Sequence, residues 1–158
     1  MRAGLLLATL LCLACGLARA AEPVIAIVVP AARSGAGLDA DAIAQVYKRK
    51  RLLWPDGRRM LPVNLPADHP LRKRFTDALL QLGPEALEEY WNEQYFHGIR
   101  PPHVVASEAA VLRFVADTSN AIGYLSYCAM DQRVRPLLLI SPEGRLLPPD
   151  TTVNCAAD

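Results

Sequence analysis

The chain has 158 residues, of which 52% are hydrophobic and 21% are charged, and its formal net charge is +1. A balance this close to neutral gives no electrostatic basis for binding nucleic acid or an anionic membrane. The length suits one domain built around one hydrophobic core.

An export signal is predicted at the N-terminus. Met1 and Arg2 give a short positive start, residues 3–17 are apolar and uncharged, and Ala18-Arg19-Ala20 is a small-residue cleavage site. The apolar run is too short for a membrane-spanning helix. We therefore expect residues 1–21 to be a signal peptide that is removed on export.

A lipoprotein-type cleavage site before Cys15 is the alternative. The position three residues before Cys15 holds Cys12, where a large aliphatic residue is expected, so this alternative is less favoured. Removal of the signal leaves residues 22–158 as a single domain with 15 basic and 16 acidic side chains. No later stretch is apolar enough to span a bilayer, and a periplasmic protein is expected.

Two cysteines, Cys128 and Cys155, remain after removal of the signal. An even pair in an oxidising compartment favours a disulfide. Closing a loop of this size would stabilise the fold by about 3 kcal/mol. The alternative is one buried thiol and one loose thiol in the C-terminal tail.

The first half of the domain begins with a strand over residues 24–29, which is apolar at every position. Such a run is typical of a strand covered on both faces, as in a parallel sheet. After a small-residue loop, Asp39 is expected to cap a helix whose apolar positions have helical spacing. A second strand is predicted over residues 59–65, with Pro62 at an edge or an early position. Asp68 is then expected to cap a helix that runs from Pro70 to Leu82.

The second half continues the alternation of helices and strands. A helix beginning at Pro84 and ending at Gly98 presents Leu87, Tyr90, Trp91 and Tyr95 on one face. Ser107 caps the next helix, and strands follow over residues 121–126 and 134–140. This alternation predicts an α/β domain.

Three segments, in order, resemble phosphate-type periplasmic substrate-binding proteins. They are IAQVYKRKRLLWPDGRRMLPVNLP (43–66), PLRKRFTDALL (70–80) and AIGYLS (121–126). The resemblance is stronger to short, single-lobe relatives that share Trp-Pro-Asp-Gly and a Tyr-Trp helix. It implies one binding-protein-like lobe, with a mixed, mostly parallel sheet flanked by helices. It also implies non-covalent recognition of phosphate or another small oxyanion for an ABC transporter, without enzyme activity or a cofactor.

Two departures from this family bear on ligand binding. The two-lobe phosphate binders have Ser-Gly-Thr after the second strand, whereas this chain has residues 64–70, Asn-Leu-Pro-Ala-Asp-His-Pro. Asp68 would put a negative charge where an anion should sit, and Pro70 has no amide hydrogen. A single lobe also cannot enclose a small ligand by itself. The alternative is therefore an accessory or sensory module that has lost its ligand and docks on a transporter, channel or sensor kinase.

Candidate ligand-binding residues are Asn64, His69 and Arg72, which supply donors near a helix start. The alternative for this loop is that Asp68 caps the helix and residues 72–74 are solvated. Ser34 and Gly35 form a second candidate, because open α/β sheets bind ligands in the loops that follow strands.

The histidines, the basic run and the aromatic residues were also considered as functional features. The spacing of the three histidines matches no metal motif, and no catalytic motif is present. The basic run at residues 48–51 would suit an acidic partner, or it is a solvated helix end. Four aromatic residues are too many for one apolar stripe, so some should reach the surface, where they favour protein interfaces: Tyr90, Trp91, Tyr95 and Phe96.

Overall fold

The computed structural model describes residues 22–33 and 37–155. The predicted signal peptide and the loop residues Ser34 and Gly35 lie outside the described residues. No helix in the described ranges has both the length and the apolar character needed to cross a membrane.

A six-stranded mixed sheet forms the centre of the domain. Its strands in chain order are β1 (Ile25–Pro30), β2 (Leu61–Asn64), β3 (His103–Val104), β4 (Ala121–Ser126), β5 (Val134–Ile140) and β6 (Leu146–Leu147). Their order across the sheet is β3-β2-β4-β1-β5-β6. Strands β3, β2, β4 and β5 point one way, whereas β1 and β6 run against them. The predicted mixed α/β lobe is confirmed.

The first strand is the exception to the parallel arrangement. All six residues of β1 are buried, which agrees with its uninterrupted apolar sequence. Its neighbours are nevertheless antiparallel, since β1 pairs in that sense with both β4 and β5. Apolar residues on both faces of a strand indicate that it is buried, but they do not indicate its direction. The parallel pairing expected from the sequence was therefore wrong for β1.

Within the described ranges, four α-helices flank the sheet: α1 (Ala40–Tyr47), α2 (Pro70–Phe75), α3 (Pro84–Phe96) and α4 (Glu108–Asp117). The predicted caps of α1 and α4 are confirmed. The Asp39 side chain accepts from the Ala42 amide at 2.8 Å, and the Ser107 hydroxyl accepts from the Ala110 amide at 3.2 Å. Each cap satisfies one of the amides that a helix start leaves without a partner.

The helix after β2 differs from its prediction at both ends. Its N-cap is His69, whose backbone is extended as expected of a residue before proline, and not Asp68. The α-helix stops at Phe75 and continues as a π-helical turn over Thr76–Leu80. Gln81 then adopts a left-handed conformation with φ of 53°, which ends the helix before Leu82.

Two packing features of the sequence motifs are visible in the core. Gly123 lies where α4 crosses β4, and a β-carbon there would come within 2.7 Å of the Val111 side chain. Trp54 is buried, and its indole nitrogen donates to the Asn120 carbonyl at 3.0 Å. Both residues act in packing, and glycine at position 123 permits the close approach of the helix.

The predicted disulfide is confirmed. Cys128 and Cys155 are joined, with their α-carbons 5.5 Å apart. The bond ties the C-terminal segment to the short 3-10 turn that follows β4 (Tyr127–Ala129).

Candidate functional site

The candidate site lies at the carboxyl end of β2. Asn64, the last residue of this strand, is 8% exposed, and its carbonyl accepts from the Val105 amide. The Tyr124 hydroxyl donates to Asn64 Oδ1 at 3.1 Å and accepts from the Leu65 amide at 3.3 Å. A hydroxyl from β4 therefore holds both the side chain and the backbone at the end of β2.

The Tyr124 ring packs in a cluster with the rings of Phe75 and Tyr47. The Phe75 ring stacks on the Tyr124 ring with centroids 4.0 Å apart, and Tyr47 meets both rings edge-on. Burial raises the pKa of Tyr124 above its ordinary value, although the Leu65 amide and the Arg72 charge act in the opposite direction. The hydroxyl therefore remains neutral at physiological pH, which suits a hydrogen-bonding role.

The Arg72 side chain extends from α2 to the end of β2. Its Nη1 donates to the Leu65 carbonyl at 2.7 Å. The Leu65 backbone thus links Asn64 and Arg72. Its amide donates to the Tyr124 hydroxyl, which also binds Asn64, and its carbonyl accepts from the Arg72 guanidinium. The structure brings Asn64 and Arg72, two of the three predicted donors, to one end of β2.

His69 was predicted to donate to a ligand, but in the structure it caps the start of α2. Its Nδ1 accepts from the Leu71 amide at 3.2 Å, and its carbonyl accepts from the amides of Arg72 and Lys73. Pro70 has no amide hydrogen to donate. The first amides of α2 are therefore all used within the helix, and this helix start has none left for an anion. The alternative of a solvated 72–74 segment holds only for Lys73, which is exposed, since Arg72 and Arg74 both bind backbone carbonyls.

A groove of about 380 Å³ runs between α2 and α3 beside this site. Arg72 and Lys73 provide positive charge along it, whereas Asp77 and Glu88 provide negative charge. Its apolar lining comes from Ala67, Leu82, Pro84, Leu87 and Trp91. Arg72 and Lys73 are therefore the lining residues suited to an anion.

Helix α3 forms the outer wall of the groove and is weakly attached to the domain. None of its residues is buried. Tyr90 and Trp91 are half-buried, while Tyr95 is 57% exposed and Phe96 is 92% exposed. The prediction that part of the aromatic set reaches the surface is confirmed.

Two parts of the site were not predicted from the sequence. Tyr124 was not among the predicted site residues, although its hydroxyl organises the end of β2. Its place in a buried strand next to a glycine gave no sign of that bond, because the partner is distant in sequence. The groove was missed as well, since its walls come from two helices whose relative position is a tertiary property.

Comparisons with known proteins place the fold. No protein-family model and no curated protein matches the chain. A Clostridium perfringens structure assigned as a phosphate ABC transporter substrate-binding protein, solved with bound phosphate, is similar over 72% of this chain and 44% of its own. Its TM-score is 0.59 at 18% identity.

Two further solved structures agree. An ABC-type phosphate transport receptor from Vibrio cholerae has a TM-score of 0.58 at 18% identity, covering 72% of this chain and 46% of the receptor. PstS from Borrelia burgdorferi has a TM-score of 0.52 at 13% identity over 66% of this chain and 41% of its own. The chain therefore has a phosphate-type periplasmic binding-protein fold and spans less than half the length of these structures.

Proposed function

We propose that this protein is an exported, periplasmic substrate-binding-type lobe that recognises phosphate or another small oxyanion without covalent chemistry, as part of an ABC-type uptake system. The observation that carries the proposal is the Arg72 guanidinium anchored beside Asn64, in a fold shared with phosphate-binding proteins. Neither catalysis nor a cofactor is required for this role.

The anchored arginine is the chemical basis of recognition. A guanidinium presents several N–H donors in one plane and suits an oxyanion. In Arg72 one nitrogen is held by the Leu65 carbonyl, so the charge is already positioned before a ligand arrives. Lys73 lies nearby along the groove and adds a second positive charge. Little side-chain entropy would then be lost on binding.

The open form of the site sets the expected affinity. Only one wall of a clamshell is present, and a small ligand on one wall keeps much of its surface in water. We expect a dissociation constant of about 0.1–1 mM for the isolated lobe. Tighter binding would require a second wall, supplied by a transporter subunit or another copy of the protein.

Isothermal titration calorimetry with inorganic phosphate and sulfate tests this proposal. Arg72→Ala should abolish the heat of binding. The matched control is Arg113→Ala on α4, since Arg113 is exposed and makes no side-chain hydrogen bond or salt bridge with the described residues. The proposal fails if neither anion produces heat or a shift in melting temperature at millimolar concentration, or if both variants bind like the wild type.

A second candidate is an accessory or sensory module that has lost its ligand and docks on a transporter, channel or sensor kinase. Two observations favour this candidate. The first amides of α2 already donate to His69 and are not free for an anion, and the side chains of Tyr95 and Phe96 are exposed. Affinity capture from a periplasmic extract should then retain a membrane-bound partner that the Phe96→Ser variant releases. Anion binding by the purified protein, with no partner retained, would rule this candidate out.

A further inference from the structure

A basic patch forms where α1 ends. The chain leaves α1 through Lys48, Arg49, Lys50 and Arg51, and a short turn brings Arg59 back beside them. This turn is fixed by a bridge between Leu53 and Arg59 and by a bond from the Met60 amide to the Leu52 carbonyl at 2.7 Å. We call these five basic side chains, together with the exposed Leu52 and Leu53, the basic patch.

The charges of the basic patch have no anionic partners within the described residues. None of its five basic side chains forms a salt bridge there. The Nε atom of Arg49 is buried without an acceptor, and its backbone has a positive φ of 58°. Burial, and then the charge of Arg59, lowers the pKa of Arg49. Such an arrangement is unfavourable in isolation and improves when an anionic group approaches.

An acidic face lies next to this patch, on α3. The helix carries no basic residue, and its four glutamates are exposed: Glu85, Glu88, Glu89 and Glu93. Glu85 and Glu89 are four residues apart, and Phe96 lies a further seven along, so all three share one side of the helix. Phe96 is 92% exposed. Glu88 lines the groove, so we call the other three glutamates with Tyr95 and Phe96 the acidic face.

The two surfaces adjoin without neutralising each other. The Tyr90 hydroxyl of α3 donates to the Lys48 carbonyl at 2.6 Å, and Lys50 Nζ lies 5.9 Å from the Tyr90 ring. No salt bridge joins a glutamate of α3 to the basic patch in the described part of the chain. Each surface combines unpaired charge with exposed apolar side chains, and the two charges are opposite.

We propose that the partner of these surfaces is a second copy of this chain, bound so that the basic patch of each protomer covers the acidic face of the other. Two adjoining, oppositely charged surfaces are self-complementary about a two-fold axis, because the contact made by one protomer is repeated by its partner. Leu52 and Leu53 would meet Tyr95 and Phe96 at the centre, where aromatic residues are favoured.

An anionic lipid surface is a poorer fit than a second copy. Basic residues with exposed leucines do suit a membrane, and each basic residue near such a surface contributes about 1 kcal/mol. The glutamates of α3 would approach the same membrane and be repelled by it. A second copy satisfies both sets of charges together.

Sedimentation of the wild-type protein without its signal peptide, from about 10 μM to about 1 mM, tests the inference directly. We expect a monomer–dimer equilibrium that weakens roughly tenfold or more as salt rises from about 0.1 M to about 1 M, since the screening length falls from about 10 Å to about 3 Å. A protein that remains monomeric over this range overturns the inference.

Charge reversal tests the identity of the surfaces. The basic-patch variant Lys50→Glu/Arg59→Glu and the acidic-face variant Glu89→Lys/Glu93→Lys should each dimerise roughly ten- to a hundredfold more weakly than the wild type. An equimolar mixture should restore the dimer, because each protomer of the mixed pair then meets opposite charge at both contacts. Arg113→Glu on α4 and Asp150→Lys after β6 are matched controls with exposed charges, and both should dimerise normally.

Three outcomes of these experiments contradict the inference. The first is a mixture of the two variants that stays monomeric while circular dichroism shows both to be folded. The second is loss of the dimer in the control variants. The third is a monomeric wild type that binds vesicles of phosphatidylglycerol, with binding lost in the basic-patch variant, which would assign the patch to a membrane.

Discussion

Replacing Gly123 with alanine tests how closely α4 packs on the sheet. The new methyl group would lie 2.7 Å from Val111 Cγ1, 2.9 Å from Val115 Cγ2 and 3.0 Å from Val63 Cγ2. Favourable carbon–carbon contacts are about 3.5–4.0 Å long. Valine has few alternative rotamers in a helix, so the backbone of α4 must move away by roughly half an ångström.

The expected cost follows from two opposing effects. Overpacking a well-filled core costs about 1–3 kcal/mol. Replacing glycine lowers the entropy of the unfolded chain and returns about 0.4–1 kcal/mol. We therefore expect the free energy of unfolding to fall by about 1–2 kcal/mol, with a decrease of roughly 3–8 °C in Tm for a domain of this size.

Urea denaturation followed by circular dichroism measures this change. Gly37→Ala is the matched control, because a β-carbon at that position meets nothing within 4 Å. Adding Val111→Ala removes the nearest methyl group, so the double variant should lose less stability than the sum of the two single variants, by about 0.5–2 kcal/mol. A neutral or stabilising Gly123→Ala, or strictly additive effects, would refute the packing account.

Three further predictions concern the site and the covalent frame. Tyr124→Phe leaves Asn64 and the Leu65 amide without their partner and should lower the free energy of unfolding by about 1–3 kcal/mol in urea, whereas an unchanged midpoint would contradict the hydrogen-bonding role. Burial raises the pKa of Tyr47 and Tyr124 above 10.0, so their contribution to stability is complete below that pH and is lost as the pH rises above it. Tyrosinate absorbance should therefore appear together with unfolding in an alkaline titration. Ionisation of these tyrosines in the folded state would contradict the prediction. Cys155→Ser should lower the free energy of unfolding by about 3–4 kcal/mol relative to the oxidised wild type, and it should match the wild type whose disulfide has been reduced.

Much of the fold was predictable because its signals are local. Asp39 and Ser107 cap their helices as expected, since an N-cap needs only a short polar side chain next to a helical segment. The prediction failed where a local rule had two solutions. Asp68 and His69 are both able to cap α2, and proline at position 70 decided in favour of His69 by extending its backbone.

The candidate site was only partly predictable for a different reason. Asn64 and Arg72 were identified as donors near a helix start, and the structure brings them together at Leu65. The hydroxyl that holds Asn64 comes from Tyr124, 60 residues away in sequence. No local pattern reports a contact over that separation.

By itself, the sequence determined the α/β class, the buried first strand and most helix starts, and it favoured the pairing of Cys128 with Cys155, because periodicity, capping and cysteine count act over short stretches or by composition. Only the tertiary structure decided the antiparallel neighbours of β1, the contact of Tyr124 with Asn64, and the gathering of five basic side chains beside an acidic helix. These features depend on which distant segments lie side by side, and a near-neutral total charge conceals how the charges are distributed once the chain has folded.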